Sequence, residues 1–179
     1  MGHGKVVALG LLGTVLALPV LVVLVVVVLT LFGVTELKRV PSLAMEPTLH
    51  SGAHVFAVEY VFGSPERGDI VAFHGPAASE ERCLEGGVFV QRIVGLPGET
   101  WQEQKGRVYI DGELLKEPYI KQPDTSTQRR VRIPIGSYFV LGDNRGGSCD
   151  SRRWGPLPRG NIIGRVIATY WPPSRIALH

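Results

Sequence analysis

The 179 residues contain only two cysteines, Cys83 and Cys149, and neither belongs to a Cys-x-x-Cys pair or a zinc-type spacing. A zinc ribbon and a thioredoxin-like redox centre are thereby excluded, and no histidine sits in a motif beside either cysteine to make it a nucleophile. No lysine occurs between Lys38 and Lys105. Lysine and arginine are otherwise scattered, so the net charge of +3 forms no stripe of the kind that grips nucleic acid. The densest run is Arg129, Arg130 and Arg132, which reads as solvated residues on a strand or loop, or else as contacts for anionic lipid headgroups. There is no internal repeat, and no residue set suggests a metal or a cofactor. Pairing of Cys83 with Cys149 stays open. An extracytoplasmic domain would allow a disulfide, but spacing in sequence does not bring the two within bonding distance.

Charge is missing altogether from Val6 to Val34, a run dominated by valine and leucine. As one helix it would be about 43 Å long, more than the ~30 Å hydrocarbon core needs, with tilt or a kink at Pro19 absorbing the excess. A cleavable leader is the rival reading. Its apolar region would be shorter, roughly 7–15 residues, and would end in a small-x-small site that Leu31-Phe32-Gly33-Val34 does not offer. The expectation is a short tail, 1–5, followed by an uncleaved transmembrane anchor, 6–34. Lys5 on one side and Glu36, Lys38 and Arg39 on the other leave the orientation unspecified by charge.

Beyond residue 34 helical periodicity disappears and short β-type runs take over, punctuated by glycine and proline. Val55–Phe62, Asp69–Phe73, Val88–Val94, Tyr138–Leu141 and Ile162–Trp171 read as strands. Val108-Tyr109-Ile110 and Glu113-Leu114-Leu115, joined by Asp111-Gly112, read as a hairpin with a type I′ turn. Val55–Phe62 carries too many large apolar residues in succession for a one-sided strand, so a surface dipping into a bilayer is its second reading. Lys121–Arg130 is polar and expected to be a loop. The fold class predicted is mostly β: one antiparallel domain over 35–179, with 99–130 as an inserted hairpin and loop, behind a single N-terminal transmembrane helix.

Four ordered motifs carry chemistry. Pro41-Ser42-Leu43-Ala44-Met45-Glu46-Pro47-Thr48-Leu49 follows the apolar run after a few polar residues. Arg67-Gly68-Asp69-Ile70-Val71-Ala72-Phe73 and Val90-Gln91-Arg92-Ile93-Val94-Gly95-Leu96-Pro97-Gly98 come next. Gly142-Asp143-Asn144-Arg145-Gly146-Gly147-Ser148-Cys149-Asp150-Ser151-Arg152 is the last. Together they resemble the bacterial type I signal peptidases, which cut signal peptides from exported preproteins with a Ser-Lys dyad. In such a dyad a lysine kept neutral by burial takes the serine proton, and an oxyanion hole holds the charge that develops.

The resemblance implies a role for each matched position. Ser42 would complete the oxyanion hole with the backbone N–H of Ala44, and Ser148 would steady the base. Asp150 and Arg152 would hold the site's shape as an ion pair, with Asp143 supporting the same region. Met45, Leu49, Phe89 and Val90 would line the pocket for the Ala-x-Ala end of a signal peptide. Each has a plainer reading as well, Asp150 with Arg152 as a structural pair and Met45 or Val90 as core. The chain departs from the family where it matters most: Ala44 stands at the nucleophile's position and Gln91 at the lysine's. Gln91 offers a neutral amide that takes no proton near pH 7, and no nearby lysine is recovered by shifting the alignment.

The expectation is therefore an inactive, single-pass plasma-membrane relative with its domain on the extracytoplasmic side. Its partners would be the lipid bilayer, signal peptides of exported preproteins and an active signal peptidase paralogue that it modulates; nucleic acid and cofactors are not expected. Two alternatives remain: an active enzyme disabled by engineered substitution, and a membrane-anchored β interaction module. Ser→Ala is what an experimenter would choose, whereas Lys→Gln and the bulky Leu43 speak for natural drift.

Overall fold

Short β-strands organise most of the chain after residue 53, alternating between buried and more exposed side chains at 54–58 and 100–104 but buried almost continuously at 70–74, 88–95 and 137–141. The computed structural model describes residues 19–28, 35–40, 42–61, 63–83, 86–121 and 124–179. The chain divides into two compact units, Met1–Glu36 and Leu37–His179. In the first, a helix α1 covers 19–28 with its valines and leucines exposed all round, Val20 at 67% and Val26 at 38%. Among the described residues no helix is long and apolar enough to cross a membrane. Most of the anchor expected over 6–34 lies outside the described residues.

Two sheets make up most of the second unit, with the first strand beginning two residues before its boundary. The larger has eight strands: β1 (Thr35–Arg39), β2 (His54–Val58), β3 (Ile70–His74), β4 (Val88–Gly95), β9 (Ser137–Leu141), β10 (Leu157–Pro158), β11 (Ile162–Trp171) and β12 (Ala177–Leu178). Their order is β1-β2-β11-β3-β4-β9-β10, with β12 also on β11. The smaller sheet runs β7 (Glu113–Leu114), β6 (Arg107–Ile110), β5 (Thr100–Gln104), β8 (Gln128–Arg132). Asp111 and Gly112 join β6 to β7 with φ of 50° and 94°, the two positive values that a type I′ turn requires. Two short helices, α2 (Ala77–Cys83) and α3 (Ser151–Trp154), complete the fold.

Three expectations need correction. The run Val55–Phe62 gives only β2, which does alternate: Val55 and Ala57 point inward at 0% and 1% exposure. It is a strand with one core face, and its other face, with Phe56 and Val58, is half-buried. The region 99–130 is more than a hairpin and loop, because β5 pairs with the hairpin strand β6, β8 pairs with β5, and β8 begins within the segment read as loop. Helical structure does not vanish either. Ala77–Cys83 follows Pro76 and holds two alanines, two glutamates and an arginine, good helix formers but too few residues to show a period.

The core has a division of labour. Val40, Met45, Leu49, Val55, Ile70, Val90 and Val166 pack under the first motif. Trp101 and Val108 of the small sheet pack with Phe139 and Leu141 of β9, and the Trp101 and Phe139 rings stack 4.3 Å apart. Burying an aromatic of that size contributes about 1.5–3 kcal/mol, and the ring pair about 0.5–1.5 more. This interlock fixes the small sheet on the strand that leads into Gly142–Arg152.

Candidate functional site

β4 pairs with β3 from Val88 to Arg92 but with β9 only from Arg92 onward. Its first half, Val88–Gln91, therefore has one edge without a strand partner among the described residues, and the loop 42–49 and the segment 142–150 converge beside it. Asn144 ties those two together: its N–H donates to the Ala44 carbonyl at 2.9 Å and its Nδ2 to the Leu43 carbonyl at 3.2 Å. Gly142 permits the approach, since a Cβ there would collide with the Ala44 carbonyl oxygen and with Ser148 Oγ. The result is a groove of about 310 Å³. Ser42, Ala44, Val88, Phe89, Val90, Gln91 and Cys149 are among the residues that line it.

Ala44 and Gln91, far apart in sequence, thus face one cavity. Gln91 is 1% exposed. Its Nε2 donates to the Cys149 carbonyl at 2.7 Å and reaches Ser148 Oγ at 3.4 Å. Its Oε1 is buried and accepts no hydrogen bond from any described residue, an omission that costs about 1–3 kcal/mol for a buried polar atom. Ser42 Oγ accepts the Ala44 N–H at 3.3 Å. The groove's described lining includes no lysine and no histidine, and Ser42 is its only hydroxyl.

Charged residues brace the site from behind. Asp143, 1% exposed, accepts Arg92 Nε at 2.9 Å, Arg92 Nη2 at 2.7 Å and Thr48 Oγ1 at 2.5 Å. Asp150 takes Arg152 Nε at 2.8 Å and Nη2 at 2.9 Å, and also accepts the Gly142 N–H at 3.2 Å. Arg152 continues to Asp124 at 2.9 Å and to Glu103 of β5 at 3.8 Å. The small sheet is therefore wired to the segment that carries Ser148. Arg92 stood in a motif, but its two bonds to Asp143 and its seat 4.1 Å over the Tyr119 ring were not legible there. The buried pair of Arg145 with Glu117 joins residues that nothing in the sequence connects.

Two pocket candidates are placed elsewhere. Phe89 and Val90 line the groove, whereas Met45 and Leu49 are not among its lining residues and sit in the core, 0% and 2% exposed. Cys83, at the end of α2, and Cys149, on the groove wall, have Cα atoms 6.1 Å apart and form a disulfide.

Glu103 is fully buried, and burial pushes its carboxyl above the ordinary glutamate range despite the Ser126 hydroxyl and the Arg152 guanidinium pulling the other way. A raised folded-state value adds stability that is complete below the unfolded value of about 4.3 and lost as pH rises through the folded one. Glu103→Gln should remove that slope from the pH dependence of the urea midpoint, with the variant gaining on the parent as pH rises from 4. An unchanged slope would place the titration elsewhere.

A family model described as "Signal peptidase, peptidase S26" matches residues 12–171. The chain belongs to this family. It is 41% identical over 146 residues to a signal peptidase I of Leptolyngbya laminosa, covering 80% of this chain and 72% of that one. Against the probable signal peptidase I-1 of Synechocystis sp. the identity is 41% over 162 residues, covering 88% and 83%. The chloroplastic thylakoidal processing peptidase 1 of Arabidopsis thaliana is 38% identical over 151 residues, 81% of this chain and 44% of that one. A crystal structure of a signal peptidase I from Enterococcus faecalis V583 superposes with a TM-score of 0.47 at 30% identity, covering 59% of this chain and 98% of that one. Within the signal peptidase family, then, this member carries Ala44 and Gln91 on the wall of its groove.

Proposed function

We propose that this signal peptidase relative is catalytically silent and holds signal-peptide segments of exported proteins without cutting them. One observation carries the reading: Ala44 and Gln91, the positions the resemblance gives to nucleophile and base, share a groove and bring neither a reactive hydroxyl nor an amine to it. Ser42 is no substitute, because it has no base within the groove to take its proton. Removing such a nucleophile or its base costs on the order of 10⁶ in turnover, and removing both costs little more because they act as a unit.

What is left suits binding. Phe89 and Val90 form walls for small side chains, the free edge at Val88–Gln91 suits an added extended strand, and Asp143, Ser148, Asp150 and Arg152 keep the frame. The resemblance gives the oxyanion hole to the Ser42 hydroxyl and the Ala44 N–H; here that N–H donates to Ser42 Oγ at 3.3 Å, and an incoming carbonyl would have to replace that bond. The run 6–34 anchors the protein in the plasma membrane as a single pass, a reading supported by the all-apolar surface of α1. The domain stands on the extracytoplasmic side, beside an active signal peptidase whose supply of substrate it modulates.

The test uses the full chain in detergent with an intact signal-peptide segment carrying Ala-x-Ala. Saturable binding in the micromolar range without cleavage is expected. No affinity at millimolar peptide for folded protein would remove the binding role, and trimming of a preprotein at an ordinary enzymatic rate would remove the silence.

A further inference from the structure

The most exacting feature of the groove is the orphaned oxygen of Gln91. Amide orientation is fixed by the partner of the other atom: Nε2 lies 2.7 Å from the Cys149 carbonyl, and turning the amide over would set two oxygens against each other there. Oε1 is therefore the atom left over, 1% exposed as a residue and without a donor among the described residues. Ala44, across the same groove, presents a methyl group and cannot supply one. A buried acceptor held in one direction and left empty costs free energy, and a ligand N–H that reaches it as the groove wall gives way slightly recovers that cost.

The occupant's chemistry follows from the neighbouring backbone. Residues 88–91 keep an edge that no described strand takes, so an extended chain can lie along it with its own N–H groups in a row that ends at Gln91. We propose that Gln91 is a ligand-reading residue: Oε1 accepts one backbone N–H of a peptide lying uncut along Val88–Gln91. This rests on the binding role proposed above and adds to it the group that recognises the peptide. The position the family gives to its base would thereby have become an acceptor for an amide, which selects an intact extended chain with a free N–H at one place and rejects proline there.

A double-mutant cycle tests this on the full chain in detergent. A signal-peptide segment carrying Ala-x-Ala is made in a series, each member N-methylated at a single backbone nitrogen. In the parent protein one member should bind about tenfold more weakly than the unmodified peptide beyond the steric loss common to the series. Gln91→Met, which keeps the length and loses both polar atoms, should weaken the unmodified peptide by a similar factor and abolish the extra penalty of that one methyl group. Penalties that are identical in parent and variant at every position would overturn the inference while leaving the binding role standing. Absence of binding by any peptide would instead remove the binding role and this inference with it. If Gln91→Met does not fold, the ¹³Cδ resonance of Gln91 in the parent decides: it should shift on adding the unmodified peptide and stay in place with the critical N-methylated one. A shift equal for both would equally overturn the inference.

Discussion

Preprotein cleavage should appear only when Ala44→Ser and Gln91→Lys are made together, rising by at least about 10³-fold and by up to on the order of 10⁶ over the parent. Either change alone should leave the rate at the parent's level. Serine at 44 without an amine keeps its proton, and lysine at 91 without a hydroxyl activates nothing. The site is suited to keeping that lysine neutral. Residue 91 is 1% exposed, so desolvation disfavours the ammonium, while the Cys149 carbonyl and Ser148 Oγ, the present partners of Gln91, remain to orient the amine. Asp143 is already engaged by Arg92 and Thr48. The amine is one atom beyond the reach of the amide it replaces, and overfilling a packed site costs about 1–3 kcal/mol. Thermal unfolding of the double variant must therefore be followed alongside its activity on a preprotein in detergent. A folded double variant no faster than either single one would show that more than the two side chains has been lost, and the groove would then have to be read as a different kind of site.

The positions that decide this were visible in the sequence because short polar motifs preserve order and spacing. Ala44 and Gln91 could be named without coordinates, and both face the groove. Strands were visible for the same local reason, β11 with its bounds at Ile162 and Trp171 and the hairpin through its Asp111-Gly112 turn. Depth was not. Met45 and Leu49 sit in the same motif as Ala44, yet their side chains turn into the core, and a motif lists neighbours in sequence without saying which face each occupies. Long-range polar pairing was equally hidden. Arg145 meets Glu117, and Arg152 reaches Glu103 and Asp124, across a sheet-to-sheet junction that Trp101 and Phe139 also hold. Short elements such as α2 carry too few residues to show a period, and their place is set by what they pack on.

Removing the disulfide by Cys83→Ser and Cys149→Ser should destabilise the protein by about 4 kcal/mol. The two cysteines are 66 residues apart, and closing a loop of that length restricts the unfolded chain by roughly that amount. Their Cα separation of 6.1 Å lies within the range that a disulfide spans. Unfolding of the parent with and without reductant, beside the double serine variant, should show a fall in Tm of about 15 °C for either route. The effect should also reach the groove. Cys149 lines it and its carbonyl holds Gln91 Nε2, while Cys83 ends α2, the element that precedes the opposite wall at Val88. Freed from Cys83, the Cys149 segment gains freedom, and Gln91 loses the fixed partner that aims its oxygen. Peptide affinity should therefore drop in the serine variant even at temperatures where it stays folded. A stability loss under 1 kcal/mol would mean that the unfolded chain is not restrained by the bond. A full loss with unchanged peptide affinity would show instead that the two groove walls are held by the sheet alone.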